Sequence, residues 1–185
     1  MTMHAPAARY LILDRDGVIN RDSEHYIKCP EEWEPIPGSL EAIARLRRRG
    51  FRIVVITNQS GLARGLFDRK TLDRIHARMH RMVEAQGGKI DAVFFCPHSP
   101  DDGCGCRKPR PGMFQAFARE SQVPLKDLPV VGDALSDIEA ALAVGARPLL
   151  VRTGKGTQTL QRNPQLDIPC FRDLYDAAEH ILAQS

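Results

Sequence analysis

Short runs of apolar residues alternate along the chain with longer stretches whose apolar positions return every three or four residues. The runs at Tyr10–Leu13, Ile53–Ile56, Ala92–Phe95, Val130–Val131 and Pro148–Val151 are nearly all apolar, as strands buried on both faces must be. Between the first two, Ser39–Arg48 puts Leu40, Ile43, Ala44 and Leu46 on one helical face, with Gly50 as a stop signal. Helical patterns also cover Arg69–Ala85, Gly112–Ser121, Ser136–Ala143 and Asp173–Leu182. This alternation predicts an α/β fold, a Rossmann-like parallel sheet flanked by crossover helices. No repeat or low-complexity linker divides the 185 residues, so 1–185 is expected to form one domain.

Two segments break the pattern. Residues 22–37 contain Tyr26, Trp33 and three prolines, and residues 96–111 are rich in Cys, Pro, Gly and Asp. Each follows a predicted strand. Long irregular connections in a compact domain are usually functional, and parallel sheets bind ligands where loops leave strand C-termini. Neither insertion is long enough to be a cap domain, so substrate selection is expected to fall to these two loops.

Composition narrows the partners. A net charge of +3 from 26 basic and 23 acidic residues gives no basis for nucleic-acid binding. The basic run Arg45, Arg47, Arg48 and Arg49 closes a predicted helix, where cations suit the helix dipole. No apolar run reaches the roughly 18 residues that span a bilayer. Met1–Ala8 lacks a charged region followed by an apolar one, and reads as a frayed lead-in to the first strand rather than a secretory signal. With no apolar surface stripe left after the core helices are assigned, a monomer is expected.

The chemistry gathers at strand ends. Asp14 and Asp16, in Asp14-Arg15-Asp16-Gly17, lie two residues apart just past the first strand. Asp14 is placed to attack phosphorus and form an aspartyl-phosphate, and Asp16 to act as general acid and base. Alone, this motif also suits a simple turn. Thr57 and the following amides end the second strand and suit a phosphate oxygen. Lys108 and Arg107 add cations for the charge on the transferring oxygens. Asp133 ends the fourth strand, completing an oxygen-rich site suited to Mg²⁺, with Asp137 one turn later.

Cys96, His98, Cys104 and Cys106 form a C-x-H…C-x-C set just before Arg107. Three thiols and one imidazole suit tetrahedral, structural Zn²⁺ with no open position for water. Five cysteines, an odd number, with three in one short segment, point to a reducing compartment rather than a disulfide framework. Cys29 and Cys170 are expected to be ordinary thiols. His4, His25, His76, His80 and His180 show no ligand spacing with the group, and only His25 lies in the first insertion. A zinc knuckle gripping nucleic acid is the competing reading, but the loop lacks interleaved aromatics.

D-x-D-G, then Thr57, then Lys108, then Gly132-Asp133 with Asp137, resembles the haloacid dehalogenase superfamily over roughly residues 9–155. The resemblance implies that Asp14, the Asp16 backbone carbonyl and Asp133 hold Mg²⁺. It makes Asp14 the nucleophile, Asp16 the acid/base, and Thr57 and Lys108 the phosphoryl-positioning pair, with Asp137 supporting the metal from behind. The zinc loop ending in Cys106-Arg107-Lys108-Pro109 is similar to the branch holding the heptose-1,7-bisphosphate 7-phosphatases and the histidinol-phosphate phosphatase domain. Thr57-Asn58-Gln59-Ser60-Gly61-Leu62-Ala63-Arg64-Gly65 resembles the heptose side, which implies substrate contacts at Asn58, Gln59, Ser60, Arg64 and Arg107. Asp22–Tyr26 resembles its sugar-contacting segment, one residue longer here, adding Asp22, His25 and Tyr26. Ala134 departs from the Lys that some heptose enzymes carry, which bears on anomer preference. The implied substrate is a small phosphorylated sugar and the implied setting the cytoplasm, on the route to lipopolysaccharide. Histidinol phosphate, or another small sugar or nucleotide phosphate, is the alternative.

Overall fold

In a computed structural model, residues 9–184 are described; Met1–Ala8, with the lead-in expected there, lie outside them. Six strands form one parallel sheet in the order β3-β2-β1-β4-β5-β6. They are β1 (Arg9–Leu13), β2 (Phe51–Asn58), β3 (Ala92–Cys96), β4 (Pro129–Gly132), β5 (Arg147–Val151) and β6 (Cys170–Phe171). The helices are α1 (Ser39–Arg48), α2 (Arg69–Ala85), α3 (Gly112–Ser121), α4 (Leu135–Ala143), α5 (Gly156–Arg162) and α6 (Leu174–Ala183). The α/β class and the five helices expected from periodicity are all present.

The unbroken apolar strands are explained by burial on both faces. Leu11 and Leu13 of β1 join Ile53 and Val55 of β2 in one core cluster, under α1, α2 and α6. The intervening Ile12, Val54 and Ile56 face the other way, against Met113, Phe114 and Phe117 of α3 and Ala140 and Ala141 of α4. At about 1.5–3 kcal/mol for each large side chain taken from water, these two layers dominate the driving force for folding.

Two elements escaped the sequence reading. Helix α5 carries Gly-Thr-Gln-Thr-Leu-Gln-Arg, with no apolar period, and only Gly156 and Thr159 are buried. Strand β6 is two residues long and lies at the sheet edge. Strand β2 is also longer than its apolar run: it extends through Thr57 and Asn58, so both are held by the ladder with β3. The first strand runs on to α1 and β2 on one side, and its other neighbour is β4. The crevice at this reversal, between the C-terminal ends of β1 and β4, is where open parallel sheets bind ligands.

Candidate active site

Asp14 follows β1 and its amide donates to the Val131 carbonyl of β4 at 2.9 Å, so the backbone places it at the crevice. Asp133 and Asp137 come from the β4 end and the first turn of α4. Carboxylate oxygens of Asp14, Asp133 and Asp137 lie within 4.8 Å of one another. Gly17 makes this approach possible: it sits at φ +83°, and a Cβ there would collide with the Asp133 carboxylate.

Lys108 enters this acidic cluster from the second insertion. Its ammonium donates to Asp14 Oδ1 at 2.9 Å and to the Ile56 carbonyl at 2.7 Å, and pairs with Asp137 Oδ1 at 2.6 Å. All three donors are used. Asn58 fixes the lysine's backbone reciprocally, its Oδ1 accepting from the Lys108 amide at 3.0 Å while its Nδ2 donates to the Lys108 carbonyl at 3.1 Å. Asp137 Oδ2 accepts from the amides of Asp133 and Ala134 at 3.2 and 3.0 Å. It therefore orients Lys108 and the Asp133 backbone together.

One ammonium cannot neutralise three carboxylates. Burial, then the charges of Asp137 and Asp16, push Asp14 up to about 7 against the pull of Lys108. Burial, then Asp137 and Asp14, raise Asp133 well above the usual carboxylate range. Burial works against the Lys108 charge too, but Asp137 and Asp14 outweigh it and hold that pKa above its ordinary value. A hard divalent cation with oxygen ligands fits this surplus of buried negative charge.

Asp16 behaves differently. Burial acts to raise its pKa, but Arg15 and hydrogen bonds from Asn20 and Gln59 overcome this and lower it. Arg15 Nη2 contacts both Asp16 oxygens at 2.9 and 3.0 Å, Asn20 Nδ2 donates at 2.8 Å and Gln59 Nε2 at 2.9 Å. The side chain remains 21% exposed, toward the crevice.

These groups line a cavity of about 300 Å³ with Asp22, Tyr26, Thr57, Asn58, Ser60 and Arg107. Not all of the expected sugar contacts fit. Gln59 reaches the cavity, but its amide is committed: Oε1 accepts from Arg15, and Nε2 donates to Asp16 and to Thr57 Oγ1 at 2.9 Å. Asn58 is likewise occupied by Lys108. His25 and Arg64 are exposed and outside the cavity lining. Tyr26 lines it, with an uncommon left-handed φ of 64°. Lys155 was missed by sequence reasoning. It follows β5, its amide donates to Asp133 Oδ2 at 2.7 Å, and its ammonium pairs with Asp22 at 3.3 Å. Its place in a Gly-Lys-Gly turn past a strand end was the available signal.

The second cluster lies beside the cavity. Sγ of Cys96 is 3.5 Å from His98 Nδ1, 3.6 Å from Cys104 Sγ and 3.1 Å from Cys106 Sγ. Ligands about 2.3 Å from one tetrahedral ion are separated by little more than this, so the donor set is compatible with zinc. All five cysteines are free. Burial, then a hydrogen bond that the thiol gives to Cys106, pushes the Cys96 thiol up to about 12. Burial acts to raise Cys104 as well, but hydrogen bonds from the Arg107 backbone and the neighbouring thiols together outweigh it and bring Cys104 down to about 7. Arg107, directly after the last ligand, bonds the His98 carbonyl at 3.3 Å and faces the cavity.

Residues 11–77 match the haloacid dehalogenase-like hydrolase family model and residues 105–177 a HAD-hydrolase-like one. The D-glycero-beta-D-manno-heptose-1,7-bisphosphate 7-phosphatase of Bordetella bronchiseptica is 51% identical over 179 residues, 96% of this chain and 99% of that one. The enzyme of that name from Pseudomonas aeruginosa is 50% identical over 172 residues, 93% and 97% of the two chains. A crystal structure of the B. bronchiseptica phosphatase complexed with magnesium and phosphate superposes with a TM-score of 0.93, covering 96% of this chain and 99% of that chain. One from Burkholderia thailandensis, 44% identical, gives 0.73, with 95% and 99% covered. Half-identity along nearly the full length of both sequences establishes that the chain belongs to the heptose-1,7-bisphosphate 7-phosphatase family of haloacid dehalogenase-like hydrolases.

Proposed function

We propose that this phosphatase removes the 7-phosphate of D-glycero-D-manno-heptose 1,7-bisphosphate, with residues 1–185 acting as one catalytic domain. The observation that carries the reading is Lys108, bound to Asp14 and Asp137 at the crevice and anchored through the Cys/His loop.

Asp14 attacks phosphorus as the ester P–O bond breaks, and Asp16 gives its proton to the leaving sugar alkoxide. Asp16, again a carboxylate, then takes a proton from the water that hydrolyses the aspartyl-phosphate. The Arg15, Asn20 and Gln59 contacts favour the ionised form, ready for the second step. For the first step a proton is needed, and an arriving phosphate dianion opposes ionisation of Asp16 and favours it. With phosphate bound, Lys108 turns a donor from Asp14 to the phosphoryl oxygens and, with the Thr57 hydroxyl, holds them in line. Asp14, the Asp16 carbonyl and Asp133 would hold Mg²⁺, which when bound offsets the charge of the phosphoryl group among these carboxylates.

Cys96, His98, Cys104 and Cys106 are assigned to structural Zn²⁺. Arg107, Asp22, Tyr26, Ser60 and Lys155 are left to read the sugar and its second phosphate. A monomer working in the cytoplasm on the path to lipopolysaccharide completes the reading; Leu66 and Leu142 are the exposed large apolar side chains among the described residues.

The test is phosphate release, with Mg²⁺ and with EDTA, from heptose-1,7-bisphosphate anomers and from histidinol phosphate. Selective loss of the 7-phosphate supports the reading. Preference for histidinol phosphate keeps the mechanism and overturns the substrate. Asp14→Asn should abolish turnover with zinc content unchanged.

A further inference from the structure

The deepest charged side chain at the site belongs to neither the phosphate corner nor the metal clusters. Arg15 is 1% exposed, and every nitrogen of its guanidinium is engaged. Nε and Nη2 hold Asp16, at 3.1 Å for Nε and 2.9 and 3.0 Å for Nη2; Nη2 also reaches Gln59 Oε1 at 3.2 Å. The remaining nitrogen, Nη1, lies 3.2 Å from Nε2 of His76. Guanidinium only donates, so Nε2 must be the acceptor and the imidazole must be neutral, with its proton on Nδ1.

His76 sits on the buried face of α2 with Leu72, Ile75 and Met79, and its ring stands edge-on to Phe95 at 6.1 Å. A buried histidine on such a face is usually a core residue that has found a convenient partner. Here the partner is a buried cation whose other donors all point toward the reacting end of the molecule. Burial, and then the Arg15 charge, hold the His76 pKa down at about 3, in keeping with the neutral acceptor. Leucine in its place would leave Nη1 unpaired in a dry pocket, and the guanidinium would rotate to recover a partner.

We infer that His76 is a positioning residue for the acid/base Asp16, acting through Arg15 from a helix that touches no substrate. The inference rests on the reading of Asp16 as the proton donor to the leaving alkoxide. If Arg15 turns, the Asp16 carboxylate loses its two-pronged orientation, and proton delivery to the ester oxygen suffers while phosphate binding does not.

Leaving-group dependence separates this from a merely structural role. A sugar phosphate expels an alkoxide that needs the proton; p-nitrophenyl phosphate expels a phenolate that leaves without it. In His76→Leu, kcat on the sugar phosphate should fall about 10-fold, within the usual range for outer-shell partners, with KM nearly unchanged. On p-nitrophenyl phosphate kcat should stay close to wild type. His76→Gln, whose amide oxygen can accept from Arg15, should recover most of the loss. His76→Phe keeps a ring beside Phe95 and serves as the acceptor-free variant if leucine does not fold, as judged by thermal melting. Asp16→Asn is run beside them and should show the same leaving-group pattern, larger. Equal losses on both substrates in the His76 variants, or none, with the pattern intact in Asp16→Asn, would overturn the inference and leave the acid/base reading standing. Equal losses in Asp16→Asn itself would overturn both.

Discussion

The two insertions that shape the cavity are held by opposite means. Residues 22–37 are pinned by apolar burial: Trp33 is fully buried, Ile27 is 6% exposed and Pro30 is buried. Backbone bonds from Arg21 to Glu34 and from Ile36 to Ile19 then stitch the segment to the turn that follows β1. In residues 97–107, by contrast, no residue is buried. A Ser99–Asp102 capping box and the Cys/His cluster do the ordering instead. The first loop is thus a piece of the core that reaches the surface, and the second is a surface loop tied at a point. That point lies next to Lys108, so the placement of this lysine in the acidic cluster is mechanically coupled to the tie. The Asp22 and Tyr26 side of the cavity, in the first loop, is coupled to the core.

The largest break in this comparison should come from removing the tie. Stripping any ion held by the Cys/His cluster with a strong chelator, or Cys106→Ser, should release Arg107 and Lys108 while the sheet survives. Activity should fall at least about 100-fold, the usual cost of losing one donor aimed at developing charge. Far-UV circular dichroism should change little, because Cys96, the last residue of β3, is the one cluster residue that belongs to the sheet. Loss of the whole cooperative melt would mean the ion holds the fold and not merely the loop.

Trp33→Ala attacks the other loop and should act mainly on stability. Emptying a buried aromatic site costs about 3–5 kcal/mol, and its indole nitrogen has no hydrogen-bond partner to add to the loss. For a chain of this size the melting temperature should drop by roughly 10 °C. Because Asp14, Lys108 and Asp133 stand on other elements, kcat should hold within about 3-fold while KM rises. A kcat collapse at full folding would show that the first loop also governs the chemistry.

How legible each loop was follows from the same contrast. The Cys/His set announced itself through ligand types and spacing, and the D-x-D-G, Thr57, Lys108 and Gly132-Asp133 stations through strand-end position. Such signals are local. What stayed hidden was the partnering of neutral amides and distant side chains. Asn58 and Gln59 read as polar residues free for a sugar, but the fold commits them to Lys108, from the second insertion, and to Asp16, from the turn after β1. Arg15 stood in plain view between Asp14 and Asp16, yet its link to His76 spans 61 positions and has no periodic signature. Lys155 and α5 were missed because a Thr- and Gln-rich turn offers no apolar pattern, its burial resting on Gly156 and Thr159.

Below both loops, the acidic cluster gives a smaller effect that needs no mutation. Asp14 is raised by burial from 3.8 to about 7, so the folded state binds a proton more tightly than the unfolded chain does. Its contribution to stability is then fully present below the unfolded value and is lost as pH rises through about 7. Metal-free protein should lose melting temperature across that interval, and Mg²⁺, which favours the ionised carboxylates, should flatten the slope. Asp16, whose pKa is lowered, adds the reverse trend only in stronger acid, below its ordinary 3.8. A metal-free melting temperature that rises between these limits would contradict the raised pKa of Asp14.

The smallest expected effect separates two arginines that look alike in the sequence. Arg107 faces the cavity with one nitrogen fixed by the His98 carbonyl, whereas Arg64 is exposed and lies outside the lining. Arg107→Ala should raise KM for a bisphosphate about 10-fold, in line with losing one charge-assisted contact worth about 1.5 kcal/mol. Arg64→Ala should leave KM within about 2-fold, since an exposed charge beyond reach of the ligand contributes only screened attraction. Titrating salt sharpens the distinction. The wild-type KM should carry the salt dependence of a direct contact, and Arg107→Ala should lose most of it while Arg64→Ala retains it. If Arg64→Ala proves the costlier change, the loop after β2 must close over bound substrate, and the tie at the Cys/His cluster is then not the only device that brings a cation to the second phosphate.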